Sequence, residues 1–339
     1  MKWRVIFLGR VSSWEHTVAD PPLQTCALYL EREKMQKKII SLDELSADEI
    51  LSLIELAVDL KNNRTQYSSS LAGKNLLLLF QKTSTRTRVA FELGMKQLGG
   101  GTVVMDWGSS NLTISPISYE ARYLETVFDC IMARVKHHKD LVELADSVHI
   151  PVINGCCNLY HPSQTLADLM TVFEIKGSFE TSICYVGVQN NVANSLLIAC
   201  SKLGTRLIFV TPIQDEIPSD VAQCMEEMEA FEETLDLTRA LEECEFLYTD
   251  TWINMELFND ESYREERERR IDLMKPYQIN RELLKGSSAY IMHDMPVHPG
   301  FEIDEYAINC EQSVIFRQAE NRLYTVQALL ILLMDARLP

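Results

Sequence analysis

Between Phe80 and Gly94 the chain reads FQKTSTRTRVAFELG, which places four hydroxyl side chains and two arginines between an apolar run and a helical pattern. Ser84 or Thr85 makes a good N-cap, so the first helical turn presents unpaired backbone N–H groups and the positive end of the helix dipole. Arg86 and Arg88 add full charges. Such a cluster is suited to holding an anion. The strand ahead of it ends at Phe80, so the cluster falls at the carboxyl edge of a sheet, where open α/β folds bind ligands. No GxxxxGK[ST] motif occurs, and the P-loop route to phosphate binding fails. Further on, Pro162 suits a first helical position, which sets His161 at the cap and Gln164 three residues later. Two polar side chains then gather at a second helix start.

These residues need rigid elements behind them. KNLLLLF (74–80) reads as a buried strand, the STRTR stretch opens a helix with Phe91, Met95 and Leu98 on one face, and GGTVVMDW reads as the next strand. That is the logic of βαβ units and a parallel sheet with helices on both faces. A second series follows: strands at SICYVGV, RLIFVTP, EFLYTD and SAYIMH, a helix at NVANSLLIACSKLG ended by Gly204, and an acidic helix near 219–232. The expected fold class is α/β, with two doubly wound parallel-sheet domains and the active site in the cleft between them. Residues 35–165 form the first domain and 166–317 the second, with a final helix, 318–339, returning to the first. ISLDELSADEILSLIELAVDLK reads as an amphipathic helix capped by Ser46, so the organised fold starts near Met35 and residues 1–34 are an appendage. The charged ESYREERERR segment reads as a solvated helical face.

Composition limits the partners. A net charge of −17 argues against a surface that grips nucleic acid or lies on an anionic membrane, so any bound phosphate sits in a local basic pocket. No segment reaches the roughly 20 apolar residues of a membrane span. The nine cysteines include no CxxC pair, which suits reduced thiols of a cytoplasmic protein, with Cys156 and Cys157 as buried small residues. Adjacent His137 and His138 would point apart on a helix, and no metal or other cofactor is expected.

FQKTSTRTRVAFELGMKQLGG resembles the carbamoyl-phosphate signature of the aspartate/ornithine carbamoyltransferase family. Four further stretches agree in order and spacing: IMARV, VINGCCNLYHPSQTLADLMTVFE, YTDTWINM with HDMPVHPG, and QAENRLYTVQALL. The resemblance runs from about residue 37 to the C-terminus and favours the ornithine branch through VQNNVANSLL and TDTWINM. It implies that Ser84, Thr85, Arg86, Thr87 and Arg88 cradle the phosphate of carbamoyl phosphate, with Met295 and a returning Arg322 nearby. Arg134 and His161 would meet the carbonyl oxygen and Gln164 the carbamoyl NH₂. On the acceptor side the matching positions are Asn191, Asp250, Asn254 and Met255. The family also implies a homotrimer, or a multiple of trimers, with sites at subunit interfaces.

Three departures bear on the acceptor. The family's HCLP is His293, Asp294, Met295 and Pro296 here, so a carboxylate replaces a thiol beside the reacting amine. Asp294 then either takes the amine's proton as a general base or faces a different cationic group of a different acceptor. Val188 stands where the family has an acid ahead of the NN pair. In DWGSSNLTISPISYEARYLE, Trp107, Ser110 and Asn111 replace a Gln-containing loop, and Trp107 reads either as packing or as part of a substrate lid. The implied activity is carbamoyl transfer from carbamoyl phosphate to the side-chain amine of L-ornithine. The alternatives are transfer to a modified ornithine, lysine or a diamine such as putrescine, or a family member that binds without turnover.

Overall fold

Short, wholly apolar runs build two sheets. The computed structural model describes residues 38–334, so the expected appendage at 1–34, Cys26, the fold's start near Met35 and the last residues of the 318–339 helix lie outside the described residues. The first sheet comprises β1 (Lys38–Ile39), β2 (Asn75–Phe80), β3 (Gly101–Asp106), β4 (Cys130–Arg134) and β5 (Val152–Cys156). The second comprises β6 (Ser182–Gln189), β7 (Arg206–Gln214), β8 (Phe231–Glu233), β9 (Phe246–Thr249) and β10 (Tyr290–His293). Every neighbouring pair is parallel, in the orders β1-β5-β4-β2-β3 and β10-β9-β6-β7-β8. Helices cover both faces of such sheets, which is why Leu76 to Leu79 carry no polar alternation and are fully buried.

The helices are α1 (Ala47–Asn62), α2 (Arg86–Gln97), α3 (Ile117–Glu125), α4 (His138–Asp146), α5 (Pro162–Lys176) and α6 (Asn191–Leu203). They continue with α7 (Ser219–Glu227), α8 (Leu237–Glu242), α9 (Arg264–Met274), α10 (Glu305–Asn309) and α11 (Ile315–Leu333). Ser46 and Glu49 close a reciprocal capping box on α1, worth about 1 kcal/mol over an uncapped start. Gly204 ends α6 at φ 68°, a left-handed cap that suits glycine. In α9, Glu266 pairs with Arg269 and Arg270 on the surface.

Two sequence expectations are corrected, and one open alternative is decided. The acidic helix stops at Glu227, because Met228 leaves helical backbone (φ −80°, ψ 103°) and Phe231 to Glu233 pair with β7. His137 is not helical: it caps α4 in extended backbone, while His138 opens the helix with Nδ1 3.5 Å from Cys157 Sγ. Of the two readings of Trp107, the structure favours packing, since its ring is 7% exposed in a short 3-10 turn after β3.

Strand order explains where the chemistry collects. After β3 the chain crosses to the other side of β2, so β2 and β4 lie side by side with Phe80 level with Arg134. In the second sheet the same reversal puts β6 beside β9, with Thr249 level with both Val186 and His293. Loops leaving the carboxyl ends of such strand pairs diverge and leave a crevice, the favoured ligand position in open α/β sheets. Helix α11 ties the two regions together. It follows β10, yet Gln327 Nε2 donates to Gln97 Oε1 of α2 at 3.0 Å, and Asn321 Nδ2 donates to Thr171 Oγ1 of α5 at 3.0 Å.

Candidate active site

Three arginines arrive from three elements. Arg86 opens α2, Arg134 ends β4 at a register shift that follows Ala133, and Arg322 reaches in from α11. Thr85 precedes α2 in helical backbone, and no side chain caps it, so the first-turn N–H groups remain available to a ligand. Burial lowers the pKa of Arg86, with Asp294 pulling the other way. Arg322 is 5% exposed, and burial, reinforced by Arg86 and Arg134 and opposed by Asp294, brings it down to about 10. Arginine retains its charge at that value, and holding three cations this close without an anion is costly. Among the described residues, Arg86 Nε, Arg134 Nε and Gln164 Oε1 are buried atoms with no hydrogen-bond partner. Two donors and one acceptor of this kind mark a place prepared for a polar ligand.

His161 caps α5 ahead of Pro162 and donates its backbone N–H to Ser195 Oγ at 2.8 Å. Its ring is buried, and burial followed by the charges of Arg322, Arg134, Lys82 and Arg86 holds its pKa well below the ordinary value. The imidazole is neutral. Arg322 Nη2 lies 2.9 Å from Nε2, so the guanidinium donates there and the ring proton sits on Nδ1, which is 3.4 Å from Ser163 Oγ. Behind it, Asp168 accepts from Gln164 Nε2 at 2.6 Å, Gln318 Nε2 at 2.7 Å and Tyr248 Oη at 3.0 Å. Burial pushes Asp168 up to about 7, and the three donors oppose that rise.

Carboxylates adjoin the arginines. Asp250 follows β9 and Asp294 follows β10, so paired strand ends deliver them side by side. Asp250, 3% exposed, accepts from Asn190 Nδ2 at 2.7 Å. Asp294 is 9% exposed and its Oδ1 has no donor. The His293 Nδ1 that lies 3.4 Å away is itself the acceptor of the Met295 N–H at 2.8 Å. His293 thus lends Nε2–H to Glu302 Oε1 at 3.0 Å. Burial would lower the His293 pKa, but bonding and charge from Asp294 and Glu302 pull it up to about 9. The Met295 bond makes Nδ1 the acceptor whenever the ring is neutral, and protonating Nδ1 costs that bond. Glu302, despite burial, is held down at about 2 by His293 and His298.

Met295 has φ 62°, a left-handed backbone costing a side-chain-bearing residue about 1–2 kcal/mol. Two bonds hold it: its N–H to His293, and its carbonyl accepting from Arg86 Nη2 at 2.6 Å. The second joins the arginine cluster to the carboxylate loop. Asp250, His293 and Asp294 place one ligand atom each within 4.8 Å of one another. A divalent cation there would have to displace the Met295 N–H and sit beside Arg86 and Arg322, so the arrangement suits an organic ammonium better.

The structure gathers Arg86, Thr87, Arg134, His161, Gln164, Arg322, Asp250, Asp294 and Met295 into one region, but it does not bring in every residue singled out from sequence. Arg88 is turned to the surface and pairs with Glu92 at 3.2 Å, because two residues along a helix point roughly opposite ways. Ser84 is half-buried and Thr85 exposed. Asn191 donates to Cys157 O at 2.7 Å, and its neighbour Asn190 is the one that meets Asp250. Asn254 and Met255 are exposed, with Asn254 Oδ1 accepting the Glu256 N–H at 3.1 Å. Sequence reasoning missed Asn190, Asp168 and Lys82, whose Nζ lies 3.6 Å from Glu256. A signal existed for two of them: Asn190 precedes a helix as an N-cap, and Asp168 follows Gln164 by one helical turn.

Comparison with known proteins gives a consistent result. Residues 37–174 match the family model described as aspartate/ornithine carbamoyltransferase, carbamoyl-P binding domain, and residues 180–333 match its Asp/Orn binding domain. The chain is 35% identical over 305 residues to the ornithine carbamoyltransferase of Archaeoglobus fulgidus, covering 88% of this chain and 97% of that one. It is 40% identical over 304 residues to an ornithine carbamoyltransferase of Bacillus cereus, covering 87% and 93%. Among solved structures, the ornithine carbamoyltransferase from Pyrococcus furiosus superposes with a TM-score of 0.82 at 36% identity, covering 90% of this chain and 99% of that one. The enzyme from Thermus thermophilus gives 0.79 at 33%, covering 88% and 100%.

Proposed function

The chain belongs to the aspartate/ornithine carbamoyltransferase family and is a carbamoyltransferase, and from that premise we propose that it moves the carbamoyl group of carbamoyl phosphate to the side-chain amine of L-ornithine, giving L-citrulline and phosphate. The observation that carries this reading is the nearness of a cationic cluster, Arg86, Arg134 and Arg322, to a buried carboxylate pair, Asp250 and Asp294, joined through the Arg86 bond to Met295 O. An anionic donor and a cationic acceptor are then drawn to neighbouring places, which is what a two-substrate transfer requires.

The first turn of α2 with Arg86 and Thr87 holds the phosphate. Arg134, with Arg322 bracing the neutral His161, polarises the carbonyl as charge develops on its oxygen. Gln164 Oε1, a buried acceptor without a donor, receives the carbamoyl NH₂. Attack by the amine lone pair forms the C–N bond, and the C–O bond to phosphate breaks with its electrons leaving on the phosphate oxygen. The buried arginines stabilise the departing charge, worth about a hundredfold or more for each well-placed donor. Asn190 and Asp250 hold the acceptor amino acid.

Asp294 supports a second reading, transfer to lysine, a modified ornithine or a diamine such as putrescine, because its carboxylate changes what cation the pocket accepts. The test is ureido-product formation by the purified protein with carbamoyl phosphate and, separately, L-ornithine, putrescine, L-lysine, N-acetyl-L-ornithine and L-aspartate. We expect strong turnover with L-ornithine. Turnover with a different amine alone would replace the acceptor, and silence with all would remove the reading.

A homotrimer belongs to the same proposal. Val103 on edge strand β3, Val89 and Leu93 on α2 before it, and Tyr119 and Tyr123 on α3 after it leave apolar side chains exposed on the edge strand and the helices that flank it in sequence. A monomer gains nothing from such exposure. Light scattering should give about three chain masses, and a single chain mass would exclude it.

A further inference from the structure

The carboxylate pair has a role that neither residue could perform alone. We propose that Asp250 and Asp294 act as one acid–base unit: the acceptor enters as its ammonium, gives one N–H proton to the pair and attacks as the neutral amine. This rests on the transfer reaction above and names the group that makes it work at neutral pH.

The need is chemical. An alkyl ammonium has a pKa near 10.4, has no lone pair, and near pH 7 outnumbers the free amine by roughly a thousand to one. A base in the pocket must be able to take its proton. Asp294 is nine-tenths buried, and its Oδ1 has no donor although His293 Nδ1 is 3.4 Å away and Arg86 bonds the carbonyl of the next residue. The charge of Asp294 reaches Arg86, Arg322 and Asp250 alike. The two carboxylates lie within 4.8 Å and interact directly. Two buried carboxylates so close cannot both stay ionised cheaply, so the pair holds its first proton more tightly than a lone carboxylate would. In keeping with this, burial followed by the charge of Asp294 raises Asp250 well above its ordinary value. Asp294 is lowered: burial would raise it, but the nearness of His293, 3.4 Å from Oδ1, and of Asp250 outweighs that.

The surrounding groups set the balance. Asp168 adds negative charge, Tyr185 and Tyr248 add hydroxyls whose ionisation is suppressed first by burial and then by these carboxylates, and Arg86 and Arg322 counter the charge of the pair. His293 is a further titratable neighbour, 3.4 Å from Asp294 Oδ1, and the Met295 N–H competes for the same Nδ1.

The protons balance. With both carboxylates ionised, the bound ammonium transfers one proton to the pair, which shares it between Asp294 and Asp250. The freed lone pair attacks the carbamoyl carbon, phosphate departs with the electrons of the broken C–O bond, and the second N–H proton goes to the phosphate. The pair then returns its proton to water.

The test is kcat/KM for the amine from about pH 6.5 to about 10.5, spanning the amine's own ionisation. Wild type should level off well below the amine's pKa. Asp294→Asn should be about a hundredfold slower near pH 7, with the defect shrinking about tenfold per pH unit as free amine becomes available. Asp294→Glu should restore an early plateau, and Asp294→Cys supplies a second variant if the Asn form does not fold. A defect of equal size at every pH, or none, would overturn the proposal while leaving the transfer reaction in place. A wild-type protein silent with every amine overturns both.

Discussion

Arg86→Ala lowers kcat/KM for carbamoyl phosphate by about a thousandfold and raises the KM for the acceptor as well. The first effect follows from position. Arg86 is the first residue of α2, where the uncapped N–H groups already favour an anion, and its Nε is buried with no partner. Removing it takes one charge from the three that would stabilise the departing phosphate, a loss of about 4 kcal/mol in the transition state. The second effect follows from the 2.6 Å bond to Met295 O. Without it, a residue held at φ 62° keeps only its bond to His293, and the loop carrying Asp294 loosens. Arg86→Lys should recover no more than about tenfold, since an ammonium is a point charge and cannot serve Met295 O and a phosphate with one planar fork. Calorimetry with inorganic phosphate separates binding from turnover. Unchanged phosphate affinity in Arg86→Ala would remove the arginine from the cradle.

What could be read from the sequence divides along a physical line. Parallel strands buried on both faces leave unbroken apolar runs, so β2, β6 and β7 were visible at nearly their observed limits. Helix starts were visible where a cap has a side-chain signature, as at Ser46 and Pro162. The arginines of α2 were visible as a pair, but one face of a helix can aim only one of them inward, and composition alone does not say which. The approach of Asp250 to Asp294 was hidden altogether. It depends on β9 lying beside β10, a pairing of segments about 40 residues apart that local pattern does not encode. For the same reason the carboxylate at Asp294 read as an isolated departure from the family stretch, and only the sheet order turns it into half of a pair. Asn190 and Asn191 were ambiguous for a subtler reason: the residue before a helix and the one that opens it point to different sides, and the cap decides which faces Asp250.

Asp168→Ala lowers stability by about 3–5 kcal/mol, the largest loss expected of a single substitution outside the apolar core. Asp168 receives three buried donors from three elements, Gln164 on its own helix, Gln318 on α11 and Tyr248 on β9. Alanine leaves all three without an acceptor, each costing about 1–3 kcal/mol before relaxation. At 2–4 °C per kcal/mol, the melting temperature should fall by roughly 10 °C. Asparagine is no remedy, because its amide sets a donor where a donor already points. Linkage adds a direction. The folded pKa of about 7 lies above the 3.8 of a free aspartate, so folding binds a proton. That contribution is fully present below the unfolded value and is lost as pH rises through the folded one. The gap in melting temperature between wild type and Asp168→Asn should therefore narrow from about pH 4 to about pH 7. A gap that widens over that range would show that the three donors outweigh burial and keep Asp168 ionised. Because Gln318 Oε1 also accepts the His293 N–H at 2.8 Å, the same substitution reaches the carboxylate loop. Activity measured well below the melting temperature should still fall, through the misplacement of Asp294 and Gln164 and without loss of any group that touches substrate.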